Sequence, residues 1–513
     1  MVAAVGTQDK RLLPSVEQGF GAATAQLAVM QDAVIQAARQ GKAAHEVERD
    51  LFRQVLELGG KLFGSFLQLV GPGDLGATVT LADGRAVQRL PAPHARRLLS
   101  VFGEFSLSRW VYGTRAGQKL EWIPTDQRLQ LPESELSYLL QEWDQLLGIE
   151  HAFGGVRETM ATMLRLRQSV NTLEHTNRQM AEAAPAFRAA QPAPDPKAEG
   201  EWLVVTEDNK GVPMVRPADA LPAGAHRKKG EKANKKQMAC LGCVYTVDPN
   251  VRTPAELLAT LFRDADRPQR QPPKAQQKRY WAELSRVVAG EAVCGQDLVF
   301  QHLRAEIAQR RRPGQVLVNL CDGQRSLETD RAEYLPADAR TVDILDLMHV
   351  APRLWAAAHL FHAEGSDAAE RFVRERLLRV LHGAAAGVLK GLRRMGTQQE
   401  LVGAKRKRLR EICNFLERNR YRMRYDEYLR QGYPIASGVI EGACRHMVRD
   451  RMERAGMRWK LPGAQAMLHL RVIHTNGDWT EFQEFRIAQE TQRLYPHRKA
   501  LANATWPLLD LAI

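Results

Sequence analysis

The chain has 513 residues, of which 44% are hydrophobic and 26% are charged, values typical of globular domains rather than of disordered or fibrous chains. Its 73 lysines and arginines exceed its 59 acidic residues, giving a formal charge of +14, which favours a polyanion such as nucleic acid over a membrane as partner. The sequence has no signal-peptide pattern and no apolar run that could span a bilayer, and its six cysteines are scattered. We therefore expect a cytoplasmic protein of two or three domains.

Residues 1–182 are predicted to form a mainly helical region with a small β part. Asp83-Gly84 predicts a hairpin turn between two short strands, and a further strand pair is expected around 105–112. Apolar residues at helical spacing predict helices at 13–66, 133–147, 156–166 and 169–180. The last two helices suggest a helix-turn-helix at 156–180, although an ordinary helical hairpin has the same pattern.

Residues 183–200 are rich in proline and alanine and are predicted to be a linker. The chain beyond it has the alternating strands and helices of an α/β domain, expected over 201–480, with 481–513 as a C-terminal tail. Its strands are predicted at 201–206, 238–247, 316–321 and 341–345, and its helices at about 275–310, 347–363, 367–394, 400–418 and 437–455.

Three of these predicted strands run directly into an aspartate. Asp208 follows the first, Asp322 follows the strand at 316–321, and Asp346 follows the strand at 341–345. A single aspartate after a strand is more often a turn residue or a helix N-cap. The strand ends of an open α/β sheet are, however, where such folds bind ligands, so the three are also candidates for a shared site.

The helix predicted from Ser437 onward combines an acid with a basic flank. Its apolar positions, among them Ile440, Cys444, Met447 and Val448, form one stripe, and Glu441 lies beside that stripe. The other flank carries four arginines that are expected to face outward: Arg445, Arg449, Arg451 and Arg454. An acid in this position suits a metal ion, and the arginines suit phosphate groups.

The segment Pro434–Trp459, PIASGVIEGACRHMVRDRMERAGMRW, resembles the signature of insertion-sequence DDE transposases of the Kra-four group, distant relatives of Mutator-like transposases. The resemblance implies that Glu441 is the third catalytic acid and that Asp208 and Asp322 are the first two. It also matches Asp346-Leu-Met-His349 to an Asp/Cys-x-x-His motif, which makes Asp346 and His349 accessory residues.

The same resemblance implies a fold. It is an RNase H-like domain with a mixed five-stranded sheet, in which Asp208 and Asp322 end adjacent parallel strands, and an all-helical insertion at about 365–430 precedes the Glu441 helix. One departure affects the first acid: relatives have glycine after it, whereas here Asn209 follows Asp208 and Glu207 precedes it. Glu207 is therefore a rival for the first position.

Three carboxylates from separate elements can hold two Mg²⁺ or Mn²⁺ ions, which serve both oxygens of an in-line phosphodiester displacement. We therefore expect a bacterial, DNA-associated transposase. Residues 1–182 should bind the ends of the insertion sequence, and residues 201–480 should catalyse metal-dependent strand cleavage and strand transfer. Its partners are the double-stranded DNA of the element ends and of the target, and it should assemble on DNA as a homodimer or larger complex. The alternatives are a non-enzymatic DNA-binding protein derived from a transposase and a metal-dependent DNA junction nuclease on the same fold.

Basic residues in four parts of the chain are predicted to contact DNA phosphates. They are Lys228, Lys229, Lys235 and Lys236 between the first two strands, Arg311 at a helix end, Lys405 and Arg406 in the insertion, and Arg445 and Arg449 on the Glu441 helix.

Overall fold

The computed structural model describes residues 16–81, 83–114, 122–215 and 236–497. The chain divides into two compact units, one of residues 1–176 with 480–513 and one of residues 177–479. None of the helices in the described ranges has the length and apolar character needed to cross a bilayer.

The first unit begins with two long helices, α1 and α2, which pack against each other. The hairpin predicted at Asp83-Gly84 is present: β1 and β2 pair antiparallel, and Gly84 supplies the positive φ of the turn, +84°. The elements up to the boundary between the units are α1 (Val16–Arg39), α2 (Ala44–Val70), β1 (Thr78–Thr80), β2 (Ala86–Arg89), β3 (His94–Ser100), β4 (Gly103–Arg109), β5 (Tyr112–Gly113), α3 (Pro124–Leu129), α4 (Tyr138–Gly148), α5 (Phe153–Leu164) and α6 (Val170–Ala181). The helix-turn-helix suggested for α5 and α6 stays a prediction.

The second unit is built on a mixed five-stranded sheet, as predicted. Its elements are α7 (Ala184–Ala190), β6 (Trp202–Pro213), β7 (Lys236–Val247), α8 (Pro254–Phe262), β8 (Gln276–Leu284), β9 (Arg286–Val288), β10 (Glu291–Val293), α9 (Gly295–Arg310), β11 (Leu317–Cys321), α10 (Arg325–Tyr334), β12 (Thr341–Leu345), α11 (Leu347–Phe361), α12 (Asp367–Leu381), α13 (Ala385–Gln398), α14 (Gly403–Arg418), α15 (Tyr425–Gln431), α16 (Gly438–Ala443), α17 (Asp450–Met452) and α18 (Leu461–Asn476). The last described helix, α19 (Trp479–Leu494), continues into the first unit.

The strands of this sheet lie in the order β12-β11-β6-β7-β8. β12, β11 and β6 are mutually parallel, whereas β7 runs antiparallel to both of its neighbours. Leu203 and Val205 of β6 and Leu317 of β11 pack with Phe300 and Leu303 of α9 in one buried cluster. This core holds β6 and β11 side by side.

Two of the predicted elements were wrong. Residues 276–284, predicted as the start of a helix, form strand β8, because Tyr280 and Trp281 complete the outer edge of β7 and are buried there. The predicted linker at 183–200 contains helix α7, and its Phe187 is buried because this segment packs into the second unit. Arg188 next to it donates a hydrogen bond to the carbonyl of Tyr280.

The described part of the predicted tail at 481–513 is also ordered. α19 packs on the first unit, where the Tyr495 hydroxyl donates to the Leu131 carbonyl and Arg486 donates to Gln141. Between α11 and α16, by contrast, the regular elements are all helical, as predicted for the insertion at about 365–430.

Candidate active site

Asp208 and Asp322 lie at the same level of the sheet, where β11 ends beside β6. The parallel register of β6 and β11 pairs Thr206 with Leu320, so two further residues along each strand reach Asp208 and Asp322. Side chains two residues apart point to the same face of a strand, and the two carboxylates are therefore neighbours. Burial raises the pKa of the Asp322 carboxyl, and the nearby charge of Asp208 raises it further. The hydrogen bond from the Gln324 N–H and the charge of His349 lower the same pKa.

The strand carrying Asp208 is longer than predicted. β6 continues to Pro213, because β7 pairs with it along its whole length and sets Asp208 opposite Leu241. Asp208 thus lies inside β6, at the point where its other neighbour, β11, ends. Asn209 is part of the extended strand there, so this position does not require the glycine that the resemblance leads us to expect.

Glu207 points to the other face of β6. Its carboxylate pairs with Arg331 of α10, and both residues are buried. A buried ion pair is costly to break, because removing one partner leaves an uncompensated charge. Glu207 therefore has a structural partner of its own, and Asp208 is the acid that faces Asp322.

Gly323 allows the chain to turn directly after Asp322. Its φ is +78°, and a Cβ at this position would come within 2.8 Å of the Phe415 ring and 2.9 Å of the Asn419 amide. Arg418 of α14 donates a hydrogen bond of 2.6 Å to the Gly323 carbonyl. The helical insertion therefore contacts the loop that carries Asp322.

Glu441 lies on a helix that changes its winding. α16 is followed by a π-helical turn over Cys444–Arg449 and then by α17. Ile440, Cys444, Met447 and Val448 are all buried, as the apolar stripe predicts, and this helix contacts β6. The expectation that Arg451 faces outward was wrong. The π turn accommodates an extra residue and so rotates the residues after it, and the buried Arg451 guanidinium lies over the Trp459 ring.

Cys444 connects this helix to the first aspartate. Its Sγ lies 3.2 Å from Oδ2 of Asp208, to which it donates. Burial raises the pKa of the Cys444 thiol, and the neighbouring Asp208 carboxylate raises it further, so the thiol keeps its proton. The apolar stripe predicts that Cys444 is buried, but its contact with Asp208 joins residues 236 positions apart and does not follow from helical spacing.

The Glu441 side chain contacts His349, whose charge in turn acts on Asp322. Glu441 Oε1 is 3.4 Å from His349 Nε2, and the glutamate side chain is 47% exposed. Asp346, three residues before His349 in the sequence, caps α11 by accepting a hydrogen bond of 2.7 Å from the Met348 N–H. Its other oxygen accepts from the Ser437 N–H at 3.2 Å and from the Ser437 hydroxyl, so Asp346 ties the end of β12 to the start of the Glu441 helix.

Asp208 and Asp322 offer carboxylate oxygens, which are the ligands that Mg²⁺ and Mn²⁺ prefer. Within the ranges that the structure describes, however, no three His, Cys, Asp or Glu side chains lie close enough together to hold a metal ion. Asp208 and Asp322 fit as two such ligands. Glu441 can join them only if its side chain leaves His349.

One further arginine, Arg353, lies close enough to Asp322 to interact with its charge and was not predicted. The Arg353 guanidinium stacks 3.3 Å from the centroid of the Phe415 ring. Burial lowers the pKa of Arg353, and the charges of Asp322 and of Arg418 act on it in opposite directions. Arg353 lies one helical turn after His349, the spacing that could have identified it.

The residues predicted to contact DNA are dispersed. Lys228, Lys229 and Lys235 lie outside the described residues, and Lys236 pairs with Glu453. Arg311 binds Asp338 through two hydrogen bonds of 2.6 and 3.0 Å. Because Arg311 lies just before β11 begins, it is near the opposite end of that strand from Asp322, and its contact with DNA stays a prediction.

The other predicted contacts are accessible. Lys405 and Arg406 are exposed on α14, and Arg406 borders a groove of about 720 Å³ that Arg393, Lys407 and Arg410 also line. Arg445 and Arg449 are exposed on the π-helical turn after Glu441, and Arg445 lies 3.6 Å from Asp450. Both groups can therefore reach a polyanion.

A comparison with solved structures finds a distant structural neighbour of the chain. No protein-family model matches the chain, and no curated protein matches its sequence. The chain is similar to the Drosophila P element transposase in its strand transfer complex, at 11% identity and a TM-score of 0.24, over 72% of this chain and 92% of that one. A TM-score this low does not establish a shared fold, and the function of the chain is therefore inferred from its own residues.

Proposed function

We propose that the chain is a DDE transposase, which binds the ends of an insertion sequence and catalyses metal-dependent DNA cleavage and strand transfer. The observation that carries the proposal is that Asp208 and Asp322 lie side by side on parallel strands, with the Glu441 helix packed across β6 and joined to Asp208 through Cys444. The strand order also supports an RNase H-like domain, since its first and fourth strands are adjacent and parallel.

In this proposal Asp208, Asp322 and Glu441 hold two Mg²⁺ or Mn²⁺ ions, which would supply an activated nucleophile and stabilise the leaving oxygen. Cys444 keeps the Asp208 carboxylate oriented through its hydrogen bond. His349 holds Glu441 at the rim of the site until the substrate is bound. Arg353 and Arg418, beside Asp322, neutralise phosphate charge, and a DNA 3′-hydroxyl takes the place of water in strand transfer.

The proposal is tested by cleavage of DNA that carries both native flanks of the gene. We expect cleavage in Mg²⁺ or Mn²⁺ to be abolished by Asp322→Asn and by Glu441→Gln, because each change removes a metal ligand. DNA binding should be kept, because neither change removes a positive charge. Cleavage that survives both substitutions or persists in excess chelator would remove the enzyme assignment.

Two matched controls come from the same unit. Asp248→Asn changes an exposed aspartate that directly follows β7 at the opposite edge of the sheet. Asp450→Asn changes an acid on the Glu441 helix whose side chain is 44% exposed, close to the value for Glu441. Both controls should cleave like the unmodified protein.

A second candidate is a non-enzymatic DNA-binding protein derived from a transposase. It is favoured by the absence, among the described residues, of any three His, Cys, Asp or Glu side chains close enough together to hold a metal ion. On this alternative the unmodified protein binds the flanking DNA but cleaves none of it in either metal ion, so the same assay separates the two functions.

A further inference from the structure

The two N-terminal helices carry apolar side chains that remain exposed in the folded chain. On α1 the buried side chains form a single line that includes Ala23, Met30 and Ala37, whereas Leu27 and Val34 are 47% and 42% exposed. On α2 a second set is exposed by 36–48%, and it comprises Leu51, Val55, Leu62 and Phe66. Exposed apolar residues that recur along two neighbouring helices indicate an interaction surface, in contrast to apolar residues scattered singly over a protein surface.

Both sets have the spacing of helices that pack in bundles. Positions 23, 27, 30, 34 and 37 of α1, and 51, 55, 58 and 62 of α2, alternate steps of four and three residues. This 3.5-residue repeat is typical of a helix–helix seam, and its buried members are accounted for by the packing of α1 on α2. The members of the repeat that this packing leaves exposed are available to a further helix.

These two sets lie on one face of the helical pair, whereas Val29 and Ile35 of α1, which are 57% and 47% exposed, lie outside it. At about 100° per residue, Leu27 and Val34 lie roughly 60° to one side of the buried line of α1. On α2 the side that faces α1 is identified by the hydrogen bond from Lys61 to Gln26. Leu51, Val55 and Leu62 lie about the same angle around the α2 axis from that side, in the same direction of rotation. Because the four-residue connection makes the helices antiparallel, equal rotations bring both sets to one side, which we call the N-terminal apolar face.

The composition of this face indicates its partner. Within the described helices, the next positions around it are Thr24, Gln31, Phe52 and Gly59, which are uncharged, and Glu48 is an acid at one end. Such a surface does not suit DNA phosphates. An apolar face of this kind is, however, complementary to itself across a two-fold axis.

The size of the face also fits a second copy. α1 has 24 residues and is therefore about 36 Å long, and two helices about 10 Å apart present a face about 20 Å wide, or roughly 700 Å². A standard protein interface buries about 800 Å² on each partner. We propose that two copies of the chain associate through the N-terminal apolar face in the absence of DNA, so that their α1–α2 pairs form a four-helix bundle.

The test is the mass of the full chain in solution, measured without DNA by sedimentation at high salt. The unmodified protein should sediment at twice the mass of the chain, and the double substitution Val55→Glu with Leu62→Glu should sediment as a monomer with an unchanged circular dichroism spectrum. Val402→Glu is the matched control, because Val402 is 75% exposed on another helix boundary of the chain, and this variant should remain a dimer.

A cross-linking experiment covers the case in which the double variant fails to fold. In a Cys294→Ser background, which removes the exposed cysteine, Val55→Cys should form a disulfide-linked dimer on oxidation and Val402→Cys should not. A monomeric unmodified protein, or a double glutamate variant that remains dimeric, overturns the proposal. So does a chain that dimerises only after residues 1–15 are deleted, because that segment would then be what covers the face.

Discussion

His349 contacts the acid that the proposed reaction requires. Its Nε2 lies 3.4 Å from Glu441, and its backbone N–H donates to the carbonyl of Asp346, the residue that caps its helix. We predict that His349→Ala folds normally but lowers cleavage or joining more than tenfold, roughly 1.4 kcal/mol of barrier or more, because His349 lies close enough to Asp322 to act on its carboxyl and is expected to lie near the scissile phosphate. The measurement is the rate on flanking DNA, with His359→Ala on the same helix as control. Unchanged activity would mean that His349 only packs in the first turn of α11.

Asp144 makes the stability of the first unit depend on pH. Burial raises the pKa of its carboxyl from 3.8 to about 7, although Gln168 donates a hydrogen bond to it. Between these two values the folded chain binds more protons than the unfolded chain, so the free energy of unfolding falls as the pH rises from about 4 to 7.

We therefore predict that Asp144→Asn, which keeps an acceptor for Gln168, stabilises the chain at pH 8 by roughly 2–4 kcal/mol, at about 1.36 kcal/mol for each pKa unit. The same change should have little effect at pH 4. Denaturant unfolding at the two pH values checks this prediction, and an equal effect at both values would contradict it.

At the scale of elements, residue spacing predicted those helices and strands whose formation depends on residues close together in the sequence. The stripe of Ile440, Cys444 and Met447 and the strands before Asp322 and Asp346 follow from residue spacing alone. The extension of β6 beyond Asp208 and the strand β8 could not be predicted in this way, since both depend on pairing with β7. The π turn was missed for a similar reason: apolar periodicity does not register one extra residue in a helix.

The C-terminal helix α19 is a part of the first unit rather than a tail. Phe482 is fully buried, and Arg493 donates to Glu133 at 2.6 Å. We predict that ending the chain after residue 478 lowers the melting temperature of the first unit and exposes residues 131–141 to proteolysis, because their partners on α19 are lost.

Ending the chain after residue 497 is the matched control for that truncation, since it removes only residues outside the described ranges. Thermal unfolding and limited proteolysis check the pair. Equal melting temperatures for the two truncations would show that α19 contributes nothing to the stability of the unit.

At the scale of the whole molecule, the charge of +14 predicts how DNA binding responds to salt. Affinity should fall log-linearly with salt concentration, because each neutralised phosphate releases counterions. Lys405→Glu with Arg406→Glu should make this slope shallower by about 2, while the same charge change at Arg39 and Lys42 in the first unit should alter it less. Titrations at several salt concentrations give the slopes, and identical slopes for both variants would argue against a DNA path along α14.

The central claim is that Asp208, Asp322 and Glu441 are ligands of the same metal ions, and a change of ligand atom tests it most directly. Each acid is replaced by cysteine, with Asp248→Cys at the opposite edge of the sheet as control. Mg²⁺ requires oxygen ligands, whereas Mn²⁺ accepts sulfur more readily. We predict that the three site variants are inactive in Mg²⁺ and regain cleavage of flanking DNA in Mn²⁺, and that the control is active in both. Full activity of any site variant in Mg²⁺, or no recovery in Mn²⁺ for all three, would contradict the account.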